Sequence, residues 1–283
     1  MTTLLAVIGH PIAHSLSPRM HAAAIDALGL DAAYLAVDVA PERLDRTVRE
    51  LSMLGAIGFN VTLPHKEAIV VSLDAIDGEA RAIGAVNTVV REDGRWVGTN
   101  TDARGLVRSI DEAGVEVQGR RATVIGAGGA ARAAAYGLAL GGASRVTIVA
   151  RRRERADELA RAMAIEAGSA CVIASADMEP NALRRELAHC DLLVQATSAT
   201  MHPEQGEELA KALPIDAMPR DGVVVDLVYR PRRTAVLAIA AGHGLVTIDG
   251  VGMLVHQGAL ALERWTGVSA PIGVMRDAVI SGL

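Results

Sequence analysis

The sequence predicts an α/β protein with two lobes, and three observations support this fold class. Strand-like apolar runs alternate with helix-like periodic segments along most of the 283 residues, which is typical of largely parallel sheets covered by helices. A strand–turn–helix–strand unit at 123–155 begins only after roughly a hundred residues of separate α/β sequence. The final segment is helical and follows the last strand-like run, so it can return to the first lobe.

Composition narrows the functional class. Hydrophobic residues make up 51% of the chain and aromatic residues only 2%, so we expect a core of small aliphatic side chains. The formal net charge of −5, with no long charged tail, argues against general binding to nucleic acid or to a membrane surface. Only Cys171 and Cys190 are present, and neither a signal peptide nor a membrane-spanning run is recognised. A cytoplasmic protein is therefore expected.

Residues 1–103 are predicted to form the first lobe. A helix should start after Ser17, with Pro18 at its first position and Gly29 beyond its end. Asp93-Gly94 should turn a hairpin. The strands are expected at 4–8, 34–39, 59–63, 86–91 and 96–99, a second helix at 41–54, and a connecting helix at 102–113.

The second lobe is predicted at 104–249, and helices at 252–265 and 271–280 occupy the closing segment, 250–283. Strands of the second lobe are expected at 123–125, 146–149, 170–174, 192–196, 223–226 and 245–248. Its helices are expected from the glycine turn to residue 140, from 155 to 167, and near 181–189, 207–213 and 232–241.

A glycine turn marks the start of the second lobe. An apolar strand runs into Gly126, Ala127, Gly128, Gly129 and Ala130, and an alanine-rich helix follows. Glycine permits a tight turn and close backbone approach, while the helix N-terminus offers free N–H groups to a pyrophosphate. The motif alone is weak, but its strand–helix–strand context predicts a Rossmann-type dinucleotide site. The alternative is an alanine-rich core turn.

The next strand ends in Ala150, and Arg151, Arg152 and Arg155 follow it. An NAD enzyme usually places a carboxylate there to hold the ribose 2′-hydroxyl, whereas arginine suits a 2′-phosphate. The sequence therefore favours NADP as the cofactor. The alternative is a solvated basic helix start.

Polar residues of the first lobe suggest a substrate site. Ser15 and Ser17 precede a helix, where hydroxyls and N–H groups can hold an anion; alternatively, Ser17 is only the N-cap. Lys66 follows a strand and is expected early in a helix, a position that suits acid–base work; alternatively, it is a surface lysine. Asn87 and Asp102 flank the hairpin, either as ligands of hydroxyls or as turn and cap residues. No metal site is expected, because no histidine has partners at ligand spacing.

In order and spacing, these motifs resemble the shikimate dehydrogenase family over essentially the whole chain. The resemblance is carried by Ser15-Leu16-Ser17-Pro18, Asn60-Val61-Thr62-Leu63-Pro64-His65-Lys66, Gly84-Ala85-Val86-Asn87-Thr88 and Asn100-Thr101-Asp102 in the first lobe. In the second it is carried by Gly126 to Ala130, Ala196-Thr197-Ser198, Asp226-Leu227-Val228-Tyr229, and Asp249-Gly250 to Gln257-Gly258. Among the departures, Thr200 stands where the family often has glycine.

The resemblance implies a substrate domain, an NADP domain and reversible reduction of 3-dehydroshikimate to shikimate, with C-terminal helices packing back on the substrate domain. Lys66 and Asp102 would be the catalytic pair. Ser15, Ser17 and Tyr229 would hold the substrate carboxylate, and Thr62, Asn87 and Gln257 its hydroxyls. The cofactor residues would be Gly126 to Ala130, Ala150, Arg151, Arg152, Arg155, Thr197, Leu227 and Gly250.

Two alternatives remain open at this point. One is a quinate/shikimate or aminoshikimate dehydrogenase that uses NAD or both cofactors. The other is a catalytically idle NADP-binding regulator, against which the intact Lys66 and Asp102 argue. A small-molecule substrate is expected in either enzyme, and a homodimer is one candidate assembly.

Overall fold

The computed structural model describes residues 2–168 and 170–283, and it divides them into two compact units. Unit 1 comprises residues 2–105 together with Leu254–Gly282, and unit 2 comprises Leu106–Met253. The protein is therefore α/β, and the C-terminal segment belongs to the same unit as the N-terminal one.

The sheet of unit 1 is mixed and has the strand order β2-β1-β3-β5-β6-β4. Parallel pairs join β1 to β2 and β3, and antiparallel pairs join β5 to β3 and β6. The predicted hairpin is confirmed, with Asp93 and Gly94 both at positive φ, as a tight primed turn requires. The strands are β1 Thr3–Gly9, β2 Ala32–Asp38, β3 Ala56–Val61, β4 Ala75–Ile76, β5 Thr88–Glu92 and β6 Arg95–Thr99.

The sheet of unit 2 is wholly parallel, with the order β12-β11-β10-β7-β8-β9 of a Rossmann-type doubly wound sheet. Its six strands were all predicted and begin within two residues of the expected positions. They are β7 Arg121–Ile125, β8 Arg145–Val149, β9 Val172–Ala176, β10 Leu192–Gln195, β11 Val223–Asp226 and β12 Val246–Ile248.

Eleven α-helices lie within the described ranges 2–168 and 170–283. They are α1 Ser17–Ala27, α2 Leu44–Met53, α3 Gly78–Ile83, α4 Asp102–Glu112, α5 Gly129–Leu140, α6 Arg153–Ala167, α7 Pro180–Leu187, α8 Pro203–Ala212, α9 Ala235–Gly242, α10 Val251–Thr266 and α11 Ile272–Ile280. The short elements β4 and α3 were not predicted. With two residues and six, they are too short to show a periodic pattern.

Helix α10 packs on the sheet of unit 1, and α11 packs on α1. Trp265 of α10 is buried, and its indole Nε1–H donates to the backbone oxygen of Val89 on β5 at 2.9 Å. Gly58 on β3 leaves room for this ring, since a Cβ built there would lie 2.1 Å from Trp265 Nε1. The expected return of these helices to the first lobe is confirmed.

Candidate active site

Lys66 and Asp102 form a buried ion pair in unit 1. The Lys66 Nζ donates to Asp102 Oδ2 at 2.6 Å, and the two side chains are 15% and 4% exposed. Asp102 opens α4, and Lys66 lies in the turn between β3 and a short 3₁₀ helix at Ala68–Ser72. Lys66 and Asp102 are 36 positions apart in the sequence. They meet because Lys66 follows β3 and Asp102 follows β6, and both strands belong to the same sheet.

The expectation that Lys66 sits early in an α-helix is wrong. His65 N–H donates to the Thr62 oxygen at 2.9 Å, which makes residues 62–65 a turn, and the helix that follows is 3₁₀ and begins at Ala68. The dipole of an α-helix therefore does not act on the Lys66 amine. Its charged partner is the Asp102 carboxylate, to which Lys66 donates a charge-assisted hydrogen bond.

Asn87 connects this pair to the rest of unit 1. Its Nδ2 donates to Asp102 Oδ1 at 2.8 Å, to Thr101 Oγ1 at 2.9 Å and to Gln257 Oε1 at 3.2 Å. Its Oδ1 accepts the Thr101 backbone N–H at 2.8 Å. The amide of Asn87 therefore contacts two other predicted residues, Asp102 and Gln257, although the three come from separate parts of the chain.

The alternative that Asp102 serves only as a helix cap does not describe its carboxylate, which pairs with Lys66 and Asn87. The carboxylate oxygens of Asp102 face Lys66 and Asn87, and the Asp102 backbone N–H donates to Asn100 Oδ1 at 3.0 Å. Asn100 thus satisfies the helix end, which leaves the carboxylate free to hold the lysine. Thr101 and Asn60 join the same network, and sequence analysis did not single them out, because a buried amide and a hydroxyl have many structural uses.

Ser15 and Ser17 lie at the start of α1, and it is Ser15, not Ser17, whose hydroxyl accepts a backbone N–H there. Leu16 is the N-cap of α1, with helical dihedral angles and no side-chain cap bond, so the expectation that Ser17 caps the helix is wrong. Instead Ser15 Oγ accepts the Ser17 backbone N–H at 3.3 Å. The helix starts one residue early because Leu16 is already helical, and this places Ser17 inside the first turn.

Thr62 lies beside the serine loop. The Thr62 backbone N–H donates to the Ile8 oxygen at 2.9 Å, and a Cβ built on Gly9 would be 2.5 Å from the Thr62 methyl group. The end of β1, which leads to Ser15, and the end of β3, which leads to Lys66, are therefore adjacent. Ser15 and Thr62 are half-buried, whereas Ser17 is 8% exposed.

Unit 2 contains a cavity of about 780 Å³ at the carboxyl ends of β7 and β8. Gly126 has φ of +126° and packs on Ala196, so its place in the turn requires glycine. A Cβ on Gly128 would meet no atom within 4 Å, so there is open space at this glycine, at the N-terminus of α5. Predicted cofactor residues that line the cavity are Gly126, Ala127, Gly128, Ala150, Arg151, Arg152, Arg155 and Thr197.

The cavity also has a wall that sequence analysis missed. Helix α8 and the segments after β9 and β10 supply it, and its members are Met178, Ser198, Ala199, Gln205, Glu208, Leu209 and Ala212. Apart from Ser198, which follows Thr197 in one of the family motifs, no local motif marks these residues, and α8 begins at Pro203, four residues before the expected start. Gly129 and Ala130 lie in the first turn of α5 and are not among the lining residues.

Leu227 and Gly250 adjoin each other in unit 2, outside the lining of this cavity. The Gly250 N–H donates to the Val228 oxygen at 3.3 Å, and a Cβ on Gly250 would be 2.3 Å from the Leu227 oxygen. Glycine is thus required for the close approach of the two loops. Tyr229 follows in the same loop and is half-buried.

Asp226, the last residue of β11, holds this loop by accepting the Val228 backbone N–H at 3.0 Å. Burial raises the pKa of the Asp226 carboxyl, and hydrogen bonds from Val228, Thr234 and other groups oppose that effect. Thr200 Oγ1 donates to Asp226 Oδ1 at 3.1 Å, and Thr234 Oγ1 donates to Oδ2 at 2.8 Å. The unusual Thr200 therefore ties the loop after β10 to the loop after β11.

Residues 2–168 and 170–283 contain neither a membrane-spanning helix nor a metal-binding cluster. In those ranges no helix is both long and apolar enough to cross a membrane. In the same ranges no group of three or more His, Cys, Asp or Glu residues is arranged to hold a metal ion.

Comparison with known proteins matches three family descriptions in order. Residues 7–89 match "Shikimate dehydrogenase substrate binding domain", residues 108–250 match "Shikimate / quinate 5-dehydrogenase" and residues 250–280 match "Shikimate 5'-dehydrogenase C-terminal domain". Together these matches span nearly the full chain.

Curated relatives and a solved structure carry the same family name as these descriptions. The chain is 45% identical to a shikimate dehydrogenase (NADP(+)) of Symbiobacterium thermophilum, over 99% of this chain and 94% of that protein. It is also 45% identical to the protein of that name in Methanopyrus kandleri, over 100% and 96%. The shikimate 5-dehydrogenase of Thermus thermophilus, solved in complex with NADP(H) and shikimate, has a TM-score of 0.87 at 38% identity, with 100% of both chains covered.

Proposed function

The chain belongs to the shikimate dehydrogenase family, and we propose that it catalyses the reversible, NADP-dependent reduction of 3-dehydroshikimate to shikimate. The observation that carries this proposal is the 2.6 Å pair of Lys66 and Asp102, held by the Asn87 amide. It offers a proton donor and a carboxylate to a polyhydroxylated ketone, with no need for a metal.

The cavity of unit 2 fits NADP. The open space at Gly128 and the N-terminus of α5 suit a pyrophosphate. Arg151, Arg152 and Arg155 also line the cavity and suit a 2′-phosphate. We therefore assign the cofactor to residues 104–249 and the substrate to residues 1–103, with 250–283 returning to the substrate domain. When bound, NADPH supplies the hydride.

In the direction of reduction, Lys66 donates a proton to the substrate oxygen as that oxygen gains negative charge. Asp102 holds the ammonium group through one carboxylate oxygen and accepts from Asn87 through the other. In the direction of oxidation the same amine accepts the proton. Asp102 thus orients the lysine and can also accept a hydrogen bond from a substrate hydroxyl.

The remaining predicted residues are assigned by their chemistry. Ser15, Ser17 and Tyr229 bind the carboxylate of the substrate, and Thr62, Asn87 and Gln257 bind its hydroxyls. The position of Asn87 between Asp102 and Gln257 supports this assignment, because one amide then aligns several hydroxyl ligands. Thr197, Leu227 and Gly250 bind the cofactor together with Gly126 to Ala130 and Ala150.

Two further expectations accompany the proposal. A cytoplasmic location is supported by Cys171 and Cys190, which are both buried free thiols. A homodimer is the assembly that we expect, and light scattering during gel filtration would measure it.

The test is a turnover assay of the purified chain with shikimate or quinate, each with NADP⁺ or NAD⁺. The proposal expects shikimate with NADP⁺ to give the highest kcat/KM. Preference for quinate or for NAD⁺ would favour the related dehydrogenases instead. Binding of NADPH without turnover of either substrate would indicate a regulator.

Lys66 and Lys211 are the only lysines of the sequence, so a matched pair of variants is available. Lys66→Ala should lower kcat by about 10²–10⁴-fold, the usual effect of losing one acid–base group, while NADPH still binds. Lys211→Ala is the control, because this exposed lysine pairs only loosely with Glu207 at 3.7 Å. Near-normal kcat in Lys66→Ala would remove the lysine from the mechanism.

A further inference from the structure

We propose that Tyr34 is a positioning residue of this active site, and that it acts through a chain of buried hydrogen bonds leading to the carboxylate of Asp102. We call this chain the Tyr34 relay; its members are Tyr34, Asn60, Thr88, Asn87 and Asp102. The inference rests on the function proposed above, because it takes Asp102 and Lys66 to work in turnover.

The ring of Tyr34 is held rigidly in unit 1. Tyr34 lies on β2 and is 7% exposed, and its ring stacks on His21 with centroids 4.2 Å apart and an interplanar angle of 12°. Trp265 lies tilted against it at 6.1 Å. Burial raises the pKa of the Tyr34 hydroxyl well above its ordinary value, so this hydroxyl keeps its proton and remains a donor.

The first step of the relay joins β2 to β3. The Tyr34 hydroxyl donates to Asn60 Oδ1 at 2.6 Å, and Asn60 is 5% exposed. With the oxygen of this amide turned to the tyrosine, its nitrogen points the opposite way. Asn60 Nδ2 donates to Thr88 Oγ1 at 3.0 Å and to the backbone oxygen of Asn87 at 3.1 Å.

The second step reaches the ligand of the catalytic carboxylate. Thr88 is fully buried, and its hydroxyl, having accepted from Asn60, donates to Asn87 Oδ1 at 3.0 Å. This bond and the one from the Thr101 backbone fix the oxygen end of the Asn87 amide. The nitrogen end is thereby turned to Asp102 Oδ1, at 2.8 Å.

Every bond in the relay runs in one direction, from donor to acceptor, and the relay ends on the carboxylate that holds Lys66. Hydrogen bonds in such a chain polarise one another, and each donor–acceptor pair favours the orientation that the next bond needs. The Tyr34 hydroxyl is the donor at the head of this relay. Its loss would leave a buried amide oxygen unsatisfied and would free the Asn60 amide to turn.

The decisive variant is Tyr34→Phe, which keeps the ring and removes the hydroxyl. We expect kcat/KM for shikimate to fall about 2- to 13-fold, the range equivalent to the net contribution of one hydrogen bond, with the Kd for NADPH unchanged. Ile25→Val is the control, because Ile25 packs in the same apolar cluster as Tyr34 and takes no part in the relay. A fall in Tm for both variants with unchanged kinetics in both would reduce Tyr34 to a core residue and overturn the proposal.

A double-variant cycle tests whether the effect travels through the relay. Thr88→Val removes the middle hydroxyl with little change of shape. If Tyr34 acts through Thr88, adding Tyr34→Phe to Thr88→Val should lower kcat/KM much less than it does in the wild-type protein. Fully additive effects would contradict the relay.

A third measurement needs no turnover, and it separates this proposal from the proposed function. Competitive acylation with acetic anhydride compares the reactivity of Lys66 with that of Lys211 in one sample. In Tyr34→Phe the Lys66 ratio should rise severalfold, since a misplaced carboxylate holds the amine less firmly, whereas Ile25→Val should leave it unchanged. A raised ratio in a protein that does not oxidise shikimate would reject the function and keep the relay. Normal shikimate turnover with an unchanged ratio and unchanged kcat/KM would do the reverse.

Discussion

At the residue scale, Ser15 and Ser17 separate a role in the start of a helix from the proposed role in substrate recognition. Ser15 accepts the N–H of Ser17 at the start of α1, whereas Ser17 makes no cap bond and is nearly buried. The sequence left open whether Ser17 caps the helix or binds an anion. The structure assigns the role at the helix end to Ser15, and the expected behaviour of the two alanine variants changes accordingly.

Both Ser15→Ala and Ser17→Ala should raise KM for shikimate severalfold, because a net hydrogen bond to a charged group contributes about 1.5–3 kcal/mol. KM for NADP⁺ should stay constant in both. Only Ser15→Ala should also lower Tm, since it removes the acceptor of a helix-end N–H, a loss of up to about 1 kcal/mol. Steady-state kinetics and thermal melts on the two variants decide the matter. An unchanged KM for shikimate in both would remove the serines from the substrate site.

At the scale of elements, the start of α6 offers a test of cofactor choice with a built-in control. Arg151 and Arg152 line the cavity, whereas the neighbouring Arg153 is engaged with Asp157 at 2.7 Å and Asp177 at 2.6 Å. The three arginines are adjacent in sequence, yet they have different surroundings. The proposed contact with the 2′-phosphate therefore falls to Arg151 and Arg152, whereas Arg153 forms surface ion pairs.

Replacing Arg151 and Arg152 together with alanine should raise KM for NADP⁺ far more than KM for NAD⁺. Charge-assisted bonds to phosphate are worth about 1.5–3 kcal/mol each, and NAD⁺ lacks that phosphate. Arg153→Ala should leave the ratio of the two KM values unaltered. An equal rise for both cofactors in the double variant would show that these arginines only decorate the surface.

The contact of α10 with the first sheet depends on one glycine. A Cβ at Gly58 would lie 2.1 Å from Trp265 Nε1 and 2.7 Å from the Val89 oxygen, which is the very pair that forms a hydrogen bond. The indole cannot keep that bond beside an alanine. The fit between β3, β5 and α10 therefore has no spare volume at this point.

Gly58→Ala should lower the free energy of unfolding by about 1–3 kcal/mol, the usual cost of overpacking a well-filled core. Gly273→Ala is the matched control in α11, where a Cβ would meet nothing within 4 Å and alanine favours the helix. Chemical denaturation of both variants gives the comparison. Equal stability of Gly58→Ala and the wild type would mean that Trp265 is less tightly held than its contacts indicate.

At the scale of the whole molecule, a buried histidine couples folding to pH. His21 is fully buried, and in the described part of the chain neither of its ring nitrogens has a hydrogen-bond partner. Burial lowers the pKa of His21 from 6.5 to about 3, so the folded protein holds the ring neutral while the unfolded chain protonates it. This contribution to stability is complete above about pH 7 and is lost as pH falls from 6.5 towards 3.

At pH 5 the stability of the wild type should be about 2 kcal/mol lower than at pH 8 through this group alone. His21→Leu, which is similar in volume and cannot be protonated, should lose that part of the pH dependence. His189→Ala, at an exposed histidine, is the control and should keep it. Urea titrations at several pH values measure the effect, and an identical slope in His21→Leu would assign the acid sensitivity to other groups.

Much of unit 2 is determined by local sequence. Each apolar run there is followed by a helix, and buried parallel strands read as continuous apolar segments, so six strands and the glycine turn are recognisable without knowledge of their neighbours. The lining of the cavity in unit 2 could be predicted in part for the same reason, because Gly126, Gly128 and the arginines lie within thirty residues of one another.

The arrangement of the candidate catalytic residues in unit 1 was decided by tertiary structure. The motifs identified Lys66, Asn87, Asp102 and Gln257, but only the pairing of β3 with β5 and the return of α10 bring them within hydrogen-bond distance. Tyr34, at the head of the relay, and the residues of α8 that line the cavity carry no local signal. Hydrogen bonds and cavity walls join residues far apart in the chain, and periodicity reports only which way a side chain faces, not what it meets there.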